Sequence, residues 1–185
     1  MSERNALELT ESPGIRFDHL FEANYNAIYR YCARRLGRSD AEDAAAEVFT
    51  VAWRRLDDMP DGDAMRAWLF GVAHRVVGGQ YRSRERRSRL AVRLEQASDS
   101  NPVDFEPPGD IDALLTALHG LSRTDQELLR LSSWDGLTRN EIAQVLGIKE
   151  NAVDQRLHRA RNRLKVRFDR LSNEAASLSH KEAPA

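Results

Sequence analysis

Apolar residues recur at steps of three and four along most of the chain, which is the spacing of one buried face of an α-helix. No segment alternates apolar and polar residues with the period of two that indicates a half-buried strand. The pattern therefore predicts an all-α protein. Its apolar stripes place helices over residues 17–36, 39–56, 64–89, 111–119, 122–133, 138–146 and 150–171.

Capping signals mark the ends of several of these helices. Ser39 with Glu42, and Thr138 with Glu141, have the S/T-x-x-E spacing of a capping box, in which a hydroxyl and a carboxylate satisfy opposing backbone amides. Gly147 can adopt the left-handed conformation that ends a helix. A short helix, a tight turn and a longer helix are therefore expected after residue 138.

The stretch ASDSNPVDFEPPG, residues 97–109, is rich in Pro and acidic residues and contains no Lys or Arg. This composition is typical of an extended linker. We therefore expect two helical domains, over 17–93 and 111–171, joined by an acidic linker over 94–110. The polar ends, 1–16 and 172–185, are expected to be flexible.

Charge is distributed in blocks along a chain whose net charge is only −1. Residues 40–63 carry eight acids against two Arg, whereas residues 75–93 carry seven Arg against one Glu. Blocks of opposite sign indicate more than one kind of partner surface. No apolar run is long enough to span a membrane, the first residues lack a signal-peptide core, and Cys32 is the single cysteine. We expect a cytoplasmic protein with no membrane insertion.

The sequence offers no constellation for catalysis or for binding a metal. The five histidines have no metal-ligand spacing, and the acids cluster on solvated helix faces and in a loop. No phosphate-binding glycine loop occurs. We therefore expect no catalytic residue, no metal and no cofactor.

Residues 138–168 have the order of a helix-turn-helix motif, whose second helix enters a major groove of DNA. Between Arg156 and Arg170 there are seven Lys or Arg against one acid. The alternative is a helical hairpin whose basic face is merely solvated. The glycine turn, the lengths of the two helices and the polar, basic outer face of the second helix together favour DNA binding. The candidate contacts off the apolar stripe are Asn151, Asp154, Gln155, Arg156, His158, Arg159 and Arg163.

The third predicted helix ends in an Arg-rich run and mixes cations with aromatic residues. Cations can neutralise phosphates and flat rings can stack on unpaired bases, as in proteins that hold single-stranded nucleic acid. Trp68, however, lies in the apolar stripe and is better explained as a core residue. A solvated Arg-rich end remains an equal alternative to phosphate binding.

Three segments, taken in order, resemble the extracytoplasmic-function group of the bacterial sigma-70 family. DAEDAAAEVFTVAWR is similar to the segment that binds core RNA polymerase, and MRAWLFGVAHR to the promoter-melting helix. LTRNEIAQVLGIKENAVDQRLHRARNRL is similar to the final helix-turn-helix. The resemblance covers about residues 17–93, the sigma-2 domain, and 111–170, the sigma-4 domain.

The resemblance implies no catalysis, and it implies core RNA polymerase and promoter DNA as partners. The sigma-4 helix-turn-helix would read the −35 element with the residues named above, although Asp154 stands where the family usually has Lys or Arg. The implied polymerase contacts are Asp40, Asp43, Glu47 and Trp53. The implied −10 contacts are Asp61, Arg66, His74, Arg75, Arg82 and Arg84.

Two other classes of protein remain open from the sequence alone. A stand-alone helix-turn-helix transcriptional regulator would bind a duplex operator without polymerase, but it leaves the acidic second helix unexplained. A helical adaptor that binds no DNA leaves the polar face of the last helix unexplained. The sequence also leaves open the genes controlled, the inducing signal and whether an anti-sigma factor binds the chain.

Overall fold

The structure is a computed structural model that describes residues 12–93 and 109–181. Within these ranges the chain is helical and contains no strand, so the predicted all-α fold is confirmed, and all seven predicted helices are present. They form two compact units, α1–α3 and α4–α7. The helices are α1 Pro13–Leu36, α2 Arg38–Arg54, α3 Asp63–Arg93, α4 Gly109–His119, α5 Arg123–Ser133, α6 Arg139–Leu146 and α7 Glu150–Lys181, with a 3-10 turn at Leu56–Asp58.

The first unit is a three-helix bundle in which each helix packs against the other two. Small residues of α2, among them Ala41 and Ala45, are fully buried and let the helix backbones approach closely. Tyr31 of α1 meets Phe70 of α3 edge-to-face, with ring centroids 5.5 Å apart. Burial of each large apolar side chain in such a core contributes about 1.5–3 kcal/mol. Cys32, a free thiol, is buried among them.

The second unit is built around α7, which packs against α4, α5 and α6. Val153, Leu157 and Ala160, on one side of α7, are buried. Leu128 and Leu131 of α5 and Ile142 of α6 close the core against them. The stripe of α7 that the apolar spacing predicted therefore faces inward over its first three turns.

Several predicted helix boundaries differ in the structure. Helix α1 begins at Pro13, within the end expected to be flexible, because Ser12 accepts a hydrogen bond from the Ile15 amide and proline suits a first helical position. Helix α2 begins immediately after Gly37 (φ 87°), so Ser39 lies inside the first turn and does not cap it. Helix α7 continues through residues 172–181 because they contain neither Gly nor Pro.

The predicted linker, 94–110, lies outside the described residues except for its last two, which belong to α4. Residues 1–11 and 182–185, at the ends expected to be flexible, also lie outside them. The proposed domain boundaries remain predictions.

Candidate nucleic-acid interface

The turn between α6 and α7 is fixed at both ends by backbone capping. Thr138 and Glu141 form the predicted capping box: the Glu141 amide donates to Thr138 Oγ1 (3.3 Å) and the Thr138 amide to Glu141 Oε2 (2.7 Å). Gly147 ends α6 in the left-handed conformation (φ 63°), and the Ile148 amide donates to the Ala143 carbonyl (3.0 Å). These bonds hold the start of α7 in a fixed place relative to α6.

The outer face of α7 begins at the turn and is polar. It lies opposite Val153 and Leu157, which are buried. Arg156 is half-buried, at the border of the two faces. The structure thus brings together, at the N-terminal end of one helix, the exposed side chains Asn151, Asp154, Gln155, His158 and Arg159.

Asp154 has a partner that sequence reasoning missed. Its Oδ1 lies 2.8 Å from Nε of Arg139, the first residue of α6. From the sequence, the neighbours that Asp154 could orient are Arg156 and His158 of its own helix. The contact to Arg139 instead crosses the turn, and it depends on the angle between the two helices, which periodicity does not give.

Arg163 is occupied in a contact within the second unit. Its Nη1 lies 2.7 Å from Oδ2 of Asp125, a carboxylate whose side chain is only 10% exposed. The Asp125 amide donates to Ser122 Oγ (3.2 Å), which caps α5. Arg163 therefore joins α7 to the start of α5, and one of its amino groups is engaged there.

The side chains of α3 predicted to meet the −10 element differ in orientation. Arg75 and Arg82, with Asp61 in the preceding loop, are exposed. Arg66 is half-buried with its guanidinium 5.3 Å from the centre of the Phe70 ring. His74 is also half-buried, and its Nδ1 lies 3.4 Å from the hydroxyl of buried Tyr31. Arg66 thus packs on its own helix, whereas His74 contacts α1.

Arg84, another predicted −10 contact, is bound to the end of α1. Its Nη2 donates to the Leu36 carbonyl (3.1 Å) and to the carboxylate of Asp40, a predicted polymerase contact. The Tyr81 hydroxyl donates to the neighbouring Arg35 carbonyl. Carbonyls at a helix C-terminus lack intrahelical donors and carry partial negative charge, which favours a cation there. The hydrogen bond from Arg84 holds the pKa of Asp40 below its usual value.

The remaining predicted polymerase contacts lie on the solvent side of α2. Asp43 and Glu47 are exposed, whereas Ala44 and Val48 beside them are buried. Trp53 is 49% exposed. Its ring packs edge-to-face on Phe17 of α1, with centroids 5.1 Å apart. Trp53 is thus an exposed member of an aromatic cluster between α1 and α2.

Neither a metal site nor a membrane span is found among the residues that the structure describes. Among them, no group of three His, Cys, Asp or Glu side chains could hold a metal ion. No described helix is both long and apolar enough to cross a membrane.

Comparison with known proteins identifies two family models along the chain. Sigma-70 region 2 matches residues 20–87, and Sigma-70, region 4 matches residues 111–164. The first match covers α2 and most of α1 and α3, and the second ends within α7.

Among curated relatives, the chain is similar to the ECF RNA polymerase sigma factor BldN of Streptomyces coelicolor, with 32% identity over 152 residues. That match covers 78% of this chain but only 57% of BldN. The RNA polymerase sigma factor NccH of Alcaligenes xylosoxydans xylosoxydans is 30% identical over 158 residues, covering 80% of this chain and 84% of NccH. Among solved structures, CnrH in complex with the cytosolic domain of CnrY aligns with a TM-score of 0.59 and 27% identity, covering 83% and 87% of the two chains.

Proposed function

Since this chain belongs to the extracytoplasmic-function group of the sigma-70 family, and so directs transcription initiation by RNA polymerase at promoters, we propose how its surfaces divide that work. The outer face of α2 docks on the polymerase. The loop before α3, with α3 itself, handles the −10 strand once it is unpaired. The outer face of α7 reads the −35 element as duplex DNA.

The observation that carries this proposal is the α6–α7 pair. A capped turn fixes two helices, and the second presents five exposed polar side chains at its N-terminal end, opposite a buried stripe. Residues at that end of a recognition helix reach base edges in the major groove. Asn151 and Gln155 carry amides, which can donate to and accept from a base edge at once.

The polymerase surface is proposed from the exposed acids of α2. Asp43 and Glu47 lie on the side of α2 away from the bundle core, and they complement a basic surface. Trp53 adds apolar area that is half exposed in the free protein. Because exposed ion pairs contribute only about 0.2–1 kcal/mol each, the acids favour recognition and the ring supplies more of the affinity.

The −10 surface is proposed mainly from Asp61, Arg75 and Arg82, which are exposed on one loop and one helix. Arg66 and His74 support this surface from half-buried positions. Arg84 positions α3 against the end of α1. Arg82 would bind phosphates of the separated strand, and Arg75 would contact its unpaired bases.

Regulation and location are inferred from the family. We infer a cytoplasmic, non-catalytic regulator that uses no cofactor. The solved complex of CnrH with the cytosolic domain of CnrY supports a protein partner of anti-sigma type for this chain as well. A stand-alone regulator is not favoured, because both sigma-70 regions match in order.

Reconstitution with core RNA polymerase tests the proposal. Genomic fragments captured by the chain with core, and not by the chain or core alone, should support run-off transcription from defined start sites. The variant Asn151→Ala with Gln155→Ala should lose most of this capture while still co-purifying with core. Equal capture by the chain without core would contradict the proposed function and favour an operator-binding regulator.

A further inference from the structure

We propose that Arg139 binds a DNA phosphate beside the −35 element and that Asp154 is the positioning residue that holds it there. This inference rests on the proposed function of α7. It assigns a DNA contact to a residue of the first helix of the motif, and it gives the acid on the recognition helix a role other than reading a base.

The two residues come from the two helices of the motif. Arg139 is the first residue of α6, and Asp154 lies in the second turn of α7. Arg139 Nε and Asp154 Oδ1 are 2.8 Å apart and form an ion pair. The contact is at the Nε side of the guanidinium, so its two amino groups can still bind an anion.

Both side chains are accessible to a large ligand. The Arg139 side chain is 66% exposed and that of Asp154 is 47% exposed. An ion pair of this exposure adds little to stability, because water screens it. The ion pair acts instead on DNA binding, because it sets the position of the guanidinium.

The position of Asp154 determines where the guanidinium lies. Asp154 is exposed on the same part of α7 as Asn151, Gln155 and His158. Asn151 lies three residues before it, and Gln155 and His158 lie one and four residues after it. Arg139 is therefore held at the edge of the face that enters the groove. In a helix-turn-helix protein the first helix crosses the sugar-phosphate backbone, so the ligand at this edge is a phosphate.

The charges of the pair fit this assignment. A lone carboxylate at the groove edge would repel the DNA backbone, whereas beside Arg139 it is neutralised and fixes the direction of the cation. An arginine restrained before binding loses less conformational freedom when it meets its phosphate. Asp154 should therefore help binding when Arg139 is present and oppose it when Arg139 is absent.

A double-mutant cycle on the holoenzyme measures this dependence. The chain with core polymerase is titrated onto a labelled promoter duplex at several salt concentrations, using the wild type, Arg139→Ala, Asp154→Ala and the double variant. Gln144→Ala, on an exposed position of α6, is the matched control. Circular dichroism confirms that each variant is folded.

Arg139→Ala is expected to weaken binding on the order of 3- to 10-fold and to lower the salt slope by about one, as the loss of a phosphate contact does. Asp154→Ala should weaken binding about 2- to 3-fold in the wild type but tighten it in the Arg139→Ala background, because only the repulsion remains. The control should change neither quantity.

Three results would overturn the inference. The first is an equal effect of Asp154→Ala in both backgrounds, which would mean simple repulsion. The second is an unchanged salt slope in Arg139→Ala. The third is a loss confined to one base pair of the −35 element, which would identify a base contact in place of a phosphate. Failure of the wild-type holoenzyme to bind promoter DNA would instead overturn the proposed function itself.

Discussion

Replacing Arg84 by alanine should destabilise the first helical unit, whereas replacing Arg82, two residues earlier on α3, should leave its stability nearly unchanged. Both arginines belong to the Arg-rich part of α3, and sequence reasoning assigned both to the −10 strand. In the structure Arg84 reaches the Leu36 carbonyl and the Asp40 carboxylate, while Arg82 is exposed. The pair of variants therefore separates a structural contact from a DNA contact.

The expected magnitude follows from two contacts of Arg84. Its ion pair with Asp40 joins side chains that are 34% and 40% exposed, and such a pair contributes about 0.2–1 kcal/mol. Its hydrogen bond to the Leu36 carbonyl is charge-assisted and caps a helix end. Because this bond is also partly solvated, its contribution to stability lies at or below about 1.5 kcal/mol, the lower limit for hydrogen bonds to charged groups. Together they give a loss of about 1–2 kcal/mol in the free energy of unfolding for Arg84→Ala.

Urea unfolding followed by tryptophan fluorescence measures this loss. Trp53 and Trp68 lie in the first unit and Trp134 in the second, so a Trp134→Phe background makes the signal report on α1–α3. Arg84→Ala should lower the urea midpoint, and Arg82→Ala should lower only the salt slope of open-complex formation, by about one. Equal midpoints for the two variants would refute the structural role assigned to Arg84.

Three further outcomes are expected. Thr138→Ala should cost the second unit about 1 kcal/mol of stability, because it removes the acceptor of the capping box; unchanged unfolding of that unit, followed by Trp134, would contradict this. Asp43→Lys with Glu47→Lys should weaken co-purification with core polymerase while the circular dichroism stays unchanged, and undiminished co-purification would count against the α2 surface. The advantage of wild type over Asp40→Asn in unfolding free energy should persist at neutral pH and vanish as the pH falls below about 3.9, because the native pKa of Asp40 is lowered. An advantage that instead grew on acidification would contradict that sign.

Local rules predicted most of the fold because they act over a few residues. The apolar steps of three and four gave all seven helices, and the spacing of Thr138 and Glu141 gave a capping box whose two bonds are present. The same rule failed at Ser39 because Gly37 ends one helix and begins the next, which leaves no room for a separate cap. Helix α7 passed its expected end because polar residues do not stop a helix without Gly or Pro.

Tertiary contacts explain what sequence reasoning missed at the candidate sites. Arg84 and Asp40 are 44 residues apart, and Arg163 and Asp125 are 38 apart. Exposed basic residues and basic residues that join two helices look alike in a one-dimensional pattern. The exposed face of α7 was predictable from its period, but the contacts that occupy two of its candidate residues depend on how α5, α6 and α7 pack.

The central claim is that α7 and α3 read different promoter elements. It is tested most directly by selecting promoters from a library randomised at both the −35 and −10 elements. The selection uses holoenzymes of the wild type, Gln155→Ala and Arg75→Ala. Gln155→Ala should change the preferred sequence only within the −35 element, because its side chain is exposed at the N-terminal end of α7, and Arg75→Ala should affect only the −10 element. Unchanged preferences in Gln155→Ala, or a change that appears at the −10 element, would contradict the account.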